Sequence, residues 1–329
     1  MKKKFLAISL TFLILICSLN GCSRNASPLT KTGFFFDTVI SITIYDSSKK
    51  YTLDHCMELA AHYENLFSPT LKSSDIWKIN HSDGTPVTID KETAYLIEKA
   101  TSYAALTDGL LNPAIAPLSS LWNFSSATEN THTVPSKEEI RTRLAHTDYT
   151  KILVNDQTIR LLDSQMSIDL GCIAKGYIAD KLKEYLLEEQ VESALINLGG
   201  NVLAVGNKPD NSSFTIGIQK PFAESGTAAT TVSINDTSAV TSGIYERYFE
   251  QDGILYHHIL DPKTGYPIEN NLASVTILSQ ASVAGDALST SCLLLGLDDG
   301  MALIESLPDT EALFITKDGE LHYTSGFPK

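Results

Sequence analysis

Apolar and polar positions alternate along residues 34–45, with Ile40, Ile42 and Ile44 set against Val39, Ser41 and Thr43, and this period of two predicts a β-strand. Residues 53–67 change to a helical period. Leu53, Cys56, Ala60, Tyr63 and Phe67 fall on one face, and Pro69 stops the helix. A short helical piece follows over 74–80. Asp90 caps a helix over 91–106 that ends at Gly109, and Ser136 with Glu139 forms a capping box for a helix to about residue 146. Residues 152–163 predict a hairpin turning near Asn155-Asp156. Strands are expected at 194–198, 202–205, 214–219 and 231–234, and a second hairpin over 245–260 turns at Asp252-Gly253. A strand at 273–278, helices at 281–295 and 301–307, and short strands at 312–316 and 320–323 complete the chain. Strands and helices come in runs rather than in strict alternation. The expected fold is therefore α+β, one large domain over 33–329 with mostly antiparallel sheets and packed helices.

One stretch departs from simple patterning. In residues 168–180, I-D-L-G-C-I-A-K-G-Y-I-A-D, a short apolar run ends at Asp169, Leu170-Gly171 turns the chain, and a helical period begins at Ile173. A strand–turn–helix junction gathers free backbone N–H groups and the positive end of a helix dipole. Lys175 sits in the first helical turn, where a cation is unfavourable unless an anion is near. The stretch reads either as an anion site or as an ordinary connection with a solvated lysine.

Composition narrows the classes. The chain has 329 residues, 43% hydrophobic, with a formal net charge of −14. Lys2, Lys3 and Lys4 precede an apolar run over 5–17, a signal-peptide layout too short for a membrane span. Leu19-Asn20-Gly21-Cys22 resembles a bacterial lipobox, which implies cleavage after residue 21, lipidation of Cys22, and a tether over 22–32. Such processing leaves 308 residues with a net charge of −17. A chain this acidic is a poor partner for nucleic acid, and it needs a concentrated positive element to hold an anion. Cys56, Cys172 and Cys292 are too few and too widely spaced for a disulfide framework or a zinc site.

Four constellations carry candidate chemistry. Asp286 and Thr290 lie four apart on an expected helix, an all-oxygen pair suited to a hard cation such as Mg²⁺ or, equally, a solvated face. His257 and His258 fall on opposite faces of a strand that breaks at Asp261-Pro262 and Gly265. One of them could take a proton from a hydroxyl, or both could be packed. Residues 107–118, ending near Trp122, read as an irregular proline-stiffened loop able to wall a ligand. Residues 241–247 read as a glycine turn carrying hydroxyls and Arg247.

Taken in order, these stretches resemble the ApbE-type FAD:protein FMN transferases, known earlier as thiamine-biosynthesis lipoproteins. The matching segments run from Phe36-Asp37-Thr38 through Phe67-Ser68, residues 74–80, Thr107-Asp108-Gly109 with Pro117-Leu118 and Leu121-Trp122, and residues 169–180. They continue with residues 197–200, Thr241-Ser242-Gly243, residues 258–262 with Thr264-Gly265, and residues 286–290. The resemblance implies an enzyme that moves the FMN half of FAD to a Ser or Thr hydroxyl of an acceptor flavoprotein, with Mg²⁺, releasing AMP. It implies metal ligands at Asp286, Thr290 and the Cys172 carbonyl. Flavin-nucleotide contacts are implied at Phe36, Leu110, Leu111, Asn112, Asp169, Lys175 and Leu260, and His258 as general base or as the group that orients the acceptor hydroxyl. It places the acceptor outside the cytoplasmic membrane and this chain on the membrane's extracytoplasmic face, held by its lipid. Phe36 stands where many relatives have Met, Asn112 where they often have Asp, and Thr70 where an aromatic is frequent. Two other functions use the same residues: a Mg²⁺-dependent FAD pyrophosphatase, and a surface lipoprotein that binds flavin without turnover.

Overall fold

The computed structural model describes residues 27–45, 50–124 and 132–328. Cys22 and the signal segment lie outside these residues. The chain opens with strands β1 (Leu29–Phe35) and β2 (Thr38–Ile44), followed by helices α1 (Lys50–Phe67) and α2 (Asp75–Asn80), strand β3 (Val87–Thr88), and helices α3 (Lys91–Leu106), α4 (Ala116–Trp122) and α5 (Lys137–Leu144). Strands β4 (Ile152–Asn155) and β5 (Thr158–Leu161) precede helix α6 (Ala174–Glu188). Seven strands follow: β6 (Ala194–Leu198), β7 (Asn201–Val205), β8 (Phe214–Gln219), β9 (Ala228–Ile234), β10 (Ser238–Gly243), β11 (Tyr248–Gln251) and β12 (Ile254–His257). The chain ends with β13 (Leu272–Ser279), α7 (Ser282–Leu295), α8 (Leu297–Glu305), β14 (Thr310–Thr316) and β15 (Leu321–Tyr323).

Eight strands form one sheet in the order β1-β2-β6-β7-β10-β13-β14-β15, every neighbouring pair antiparallel. The α+β expectation therefore holds. One face of the sheet presents Ile40, Ile42, Ile44, Ile196 and Leu203 to α1 and α6, and Val275 and Ile277 to α7. The other face presents Ala204, Ala239, Leu278, Leu313 and Ile315 to the β8–β9 hairpin. Covered on both sides, β13 is buried at all eight positions and β7 at all five, so neither alternates as a half-buried strand would.

Several expectations shift. The strand expected over 34–45 is a hairpin, β1–β2, whose turn residues Phe36 and Asp37 both have positive φ (53° and 56°), the conformation that a tight two-residue turn requires. Its first strand begins at Leu29, inside the segment expected as tether. Residues 166–168 form no strand. Asn80 instead acts as a side-chain strand partner, donating to the Ile168 carbonyl (2.9 Å) and accepting from its N–H (2.7 Å). Of the glycine turn expected over 241–247, residues 241–243 are the end of β10, bonded along β13, and the chain turns at 244–247. The proline-stiffened loop contains α4, with Pro117 in its first turn, where a missing N–H costs nothing. The capping box at Ser136 and the cap at Asp90 are as expected.

Two glycines set the helix packing behind the site. A Cβ on Gly285 would meet Val240 Cγ2 at 2.8 Å, so α7 lies directly on β10. A Cβ on Gly176 would meet the Ser282 carbonyl oxygen at 2.3 Å and Val283 Cα at 2.7 Å, so the starts of α6 and α7 touch backbone to backbone. Gly176→Ala should therefore push the two helices apart and destabilise the fold by about 3 kcal/mol. Chemical denaturation checks this, and an unchanged midpoint would contradict the close approach.

Candidate functional site

Neither α6 nor α7 begins with a capping side chain. The N-cap positions are Ile173 and Ala281, which have no side-chain acceptor. Each helix supplies the other's cap. Asp286, in the second turn of α7, accepts from the Gly176 N–H in the first turn of α6 (Oδ2, 2.7 Å). Asp180, in the second turn of α6, accepts from the Ser282 and Val283 N–H groups that open α7 (2.7 and 2.9 Å). Asp286 is buried. Burial raises the Asp180 carboxyl to about 6 against the pull of its two N–H donors.

The junction ahead of α6 gathers the remaining expected groups. The Gly171 N–H donates to Asp169 Oδ1 (2.7 Å), a local turn that fixes the carboxylate. The Asp169 N–H donates to the Pro113 carbonyl (2.8 Å) and so ties residues 110–114 to the turn. Lys175 makes only a long bond to the Gly171 carbonyl (3.5 Å), leaving most of its ammonium for another partner. Burial pushes the Cys172 thiol up to about 12, and the charges of Asp169 and Asp286 push in the same direction, so the thiol sits near both carboxylates and stays protonated. It is no nucleophile. Cys56, Cys172 and Cys292 are all free thiols.

Asp286 and Thr290 stand on one face of α7 as the spacing requires. The Thr290 hydroxyl bonds to Ser242 Oγ on β10 (3.0 Å), which also meets Ser289 Oγ (2.8 Å). One Asp286 oxygen is held by Gly176; its other oxygen, the Thr290 hydroxyl and the Cys172 carbonyl, the ligands the family resemblance implies, would together make an all-oxygen donor set of the kind a hard divalent cation takes. Among the described residues no three His, Cys, Asp or Glu side chains cluster as a metal site. The donor set just named includes one carboxylate and would not form such a cluster.

His258 follows β12 directly. Its backbone N–H and its Nδ1 both lie against the Arg247 carbonyl, at 3.1 and 3.2 Å. A carbonyl only accepts, so Nδ1 carries the proton and Nε2 keeps its lone pair. Burial lowers the His258 pKa to about 3, with the nearby charges of Arg247 and Lys175 adding to the effect. The imidazole is thus neutral at physiological pH. Desolvation raises the Glu246 carboxyl, and the charges of Lys175 and Arg247 pull it back down.

The other expected residues divide. Phe36 occupies the β1–β2 turn, and its N–H donates to Glu64 Oε1 (2.8 Å). Leu110 is partly buried against the α7–α8 core, whereas Leu111 is 1% exposed and belongs to the main core. The Asn112 side chain ties its loop to the segment after α5, donating to the Thr147 carbonyl (2.7 Å) and accepting from the Ala114 N–H (2.8 Å). Leu260 packs with Leu118, Trp122 and Ile140. Thr70 bonds to Ser68 (3.1 Å). His257 faces the opposite way from His258. It is 3% exposed, its Nδ1 has no partner, and burial lowers its pKa to about 4. It lines a cleft of about 610 Å³ with Phe222, Tyr266 and Lys317, which none of the expected site residues lines.

Sequence reasoning missed Ser242, read as part of a turn, and the capping role of Asp180. The signal for Asp180 was an absence: two helices that start without Ser, Thr, Asp or Asn at the cap.

Known proteins resemble this chain in sequence and in fold. Residues 36–314 match the ApbE family. A Klebsiella pneumoniae protein named FAD:protein FMN transferase is 42% identical over 271 residues, covering 82% of this chain and 83% of its own. A Treponema pallidum protein of the same name is 30% identical over 334 residues, covering 95% and 91%. The crystal structure of the ApbE protein of Thermotoga maritima superposes with a TM-score of 0.84 at 31% identity, covering 92% of this chain and 100% of its own. The flavin transferase ApbE of Vibrio cholerae gives a TM-score of 0.79 at 28% identity, covering 92% and 98%. Matched along most of its length in both sequence and fold, the chain belongs to the ApbE family.

Proposed function

We propose that this chain transfers the FMN half of FAD to a Ser or Thr hydroxyl of an acceptor protein and releases AMP, with Mg²⁺ at Asp286, Thr290 and the Cys172 carbonyl. One observation carries the reading: the first turn of α6 brings its N–H groups together with Asp169, Cys172, Lys175 and Asp286, and the neutral His258 lies within electrostatic reach of Lys175. The names of the Klebsiella and Treponema relatives support the same reaction.

The residues suit each part of that chemistry. A bond forms from the acceptor oxygen to the FMN phosphorus as the bond from that phosphorus to AMP breaks. His258 Nε2 receives the hydroxyl proton or orients the hydroxyl. Lys175 and the positive end of the α6 dipole offset charge on the phosphate oxygens. Bound at the donor set, Mg²⁺ supplies Lewis-acid neutralisation of that charge. Asp169 holds the turn, and residues 110–112 and Leu260 contact the nucleotide. The lipobox-like stretch ending at Cys22 supports a lipid anchor and an extracytoplasmic location beside the acceptor.

Incubation with FAD, Mg²⁺ and a verified acceptor should give an acceptor that is fluorescent in a denaturing gel and heavier by one FMN phosphoester. An unchanged acceptor mass would overturn the reading, and FMN with AMP appearing as fast without acceptor would favour hydrolysis. Asp286→Ala should cost transfer about 10²–10³-fold, and His258→Asn about 10²–10⁴-fold with FAD binding retained.

Proton binding at His258 can be followed directly. Its ordinary pKa is near 6.5 and in the fold about 3, so the unfolded chain binds more protons between those values. His258 thus contributes stability above about pH 6.5 that is lost as pH falls toward 3. Nitrogen NMR of the labelled, ligand-free protein should show a neutral ring protonated at Nδ1 down to about pH 4, whereas titration near 6.5 would contradict the geometry. For the anchor, Cys22→Ala should move the protein from the membrane fraction to the soluble one, and continued membrane retention would count against lipidation at this site.

A further inference from the structure

Asp180 does more than end the 168–180 stretch. It stands one helical turn after Gly176, and its two oxygens hold the first two N–H groups of α7. Ser282 is further fixed by its hydroxyl, which donates to Asn201 Oδ1 (2.8 Å) and accepts from Ser238 Oγ (3.1 Å). Asp286 lies one turn beyond Ser282 and Thr290 two turns beyond. The register of α7 against α6 therefore decides where both side chains point.

We propose that Asp180 is a positioning residue for the cation site, setting the affinity of Asp286, Thr290 and the Cys172 carbonyl for a divalent cation; the proposal rests on the transferase reading above. Without its carboxylate, the Ser282 and Val283 N–H groups lose their acceptor at a covered helix start. No side chain at Ala281 can replace it. The first turn of α7 then rotates or lifts from Gly176, and the 2.7 Å bond from the Gly176 N–H to Asp286 Oδ2 no longer fixes the carboxylate. The body of α7 stays in place, because Gly285 remains seated on Val240 and its apolar face on Val275 and Ile277. The loss therefore falls on ligand geometry more than on the fold. Partners that orient a metal ligand from behind typically account for about 10–100-fold in affinity.

The test uses Mn²⁺ as probe, its free concentration read by electron paramagnetic resonance, with and without FAD. Proteins compared are the wild type, Asp180→Asn, Asp180→Ala and a matched control, Asp75→Asn. Asp75 is a buried carboxylate that also accepts from backbone and side chain, bonding the Asp90 N–H (2.8 Å), the Thr93 hydroxyl (2.9 Å) and the Lys78 ammonium (3.0 Å), but it lies on α2, outside the cation site. Asp180→Asn keeps the side-chain shape and one acceptor, so it reports even if Asp180→Ala does not fold. The proposal expects Mn²⁺ affinity to fall about tenfold or more in Asp180→Asn while Asp75→Asn binds like the wild type at a similar loss of thermal stability. Wild-type affinity in Asp180→Asn, or an equal loss in Asp75→Asn, would overturn the positioning role. A wild type that binds no Mn²⁺ would instead overturn the metal reading itself, and the positioning role with it.

Discussion

Two helix starts that lack caps of their own, α6 and α7, are joined by a reciprocal pair of carboxylates, and the candidate site exists only because of that arrangement. An uncapped N-terminus leaves N–H groups without acceptors, which is costly where water is excluded. Asp286 relieves this for α6 and Asp180 for α7. The contact requires glycine at 176, since any side chain would strike the Ser282 carbonyl. One interaction thus closes the helix layer over the sheet and sets a carboxylate at a helix start whose Ile173, Ala174 and Gly176 N–H groups are all bonded within the fold. Capping occupies a single oxygen of Asp286, and the second remains for a ligand.

The same arrangement resolves an electrostatic difficulty. With a net charge of −14, the chain as a whole repels an anionic nucleotide. Attraction must be local, and the opening of α6 offers the helix dipole and Lys175, whose one hydrogen bond among the described residues is a long one to the Gly171 carbonyl. Arg247 adds charge from the adjoining hairpin, and its carbonyl holds His258 in the tautomer with Nε2 unprotonated. The neutral imidazole follows from the same crowding, because burial and two neighbouring cations all disfavour a third positive charge.

Much of this was legible in the sequence, for reasons that differ by residue. Asp286 and Thr290 share a face because helical spacing of four admits no other outcome, and the caps at Asp90 and Ser136 declare themselves in side-chain type. The antiparallel character of the sheet followed from strands arriving in runs. What escaped was set by distant partners. Strand β10 has a sequence rich in small residues because α7 presses directly onto it, and so it resembles a turn. Residues 166–168 look like a strand, but their partner is the Asn80 side chain, 88 positions away. Asn112, implied as a nucleotide contact, also ties its loop to the Thr147 carbonyl, 35 positions away. Asp180 was visible as a residue but not as a cap, since its partners lie 102 and 103 positions onward.

The fold is a broad antiparallel sheet carrying two mutually capped helices, and the proposed nucleotide site lies at their shared start, with His258 following the β11–β12 hairpin. A crystal structure with FAD and Mn²⁺, read by anomalous scattering, tests this most directly. The account predicts a metal peak bonded to Asp286, Thr290 and the Cys172 carbonyl, with the pyrophosphate at the first turn of α6. A metal peak elsewhere, or a nucleotide seated in the cleft beside His257, would contradict it.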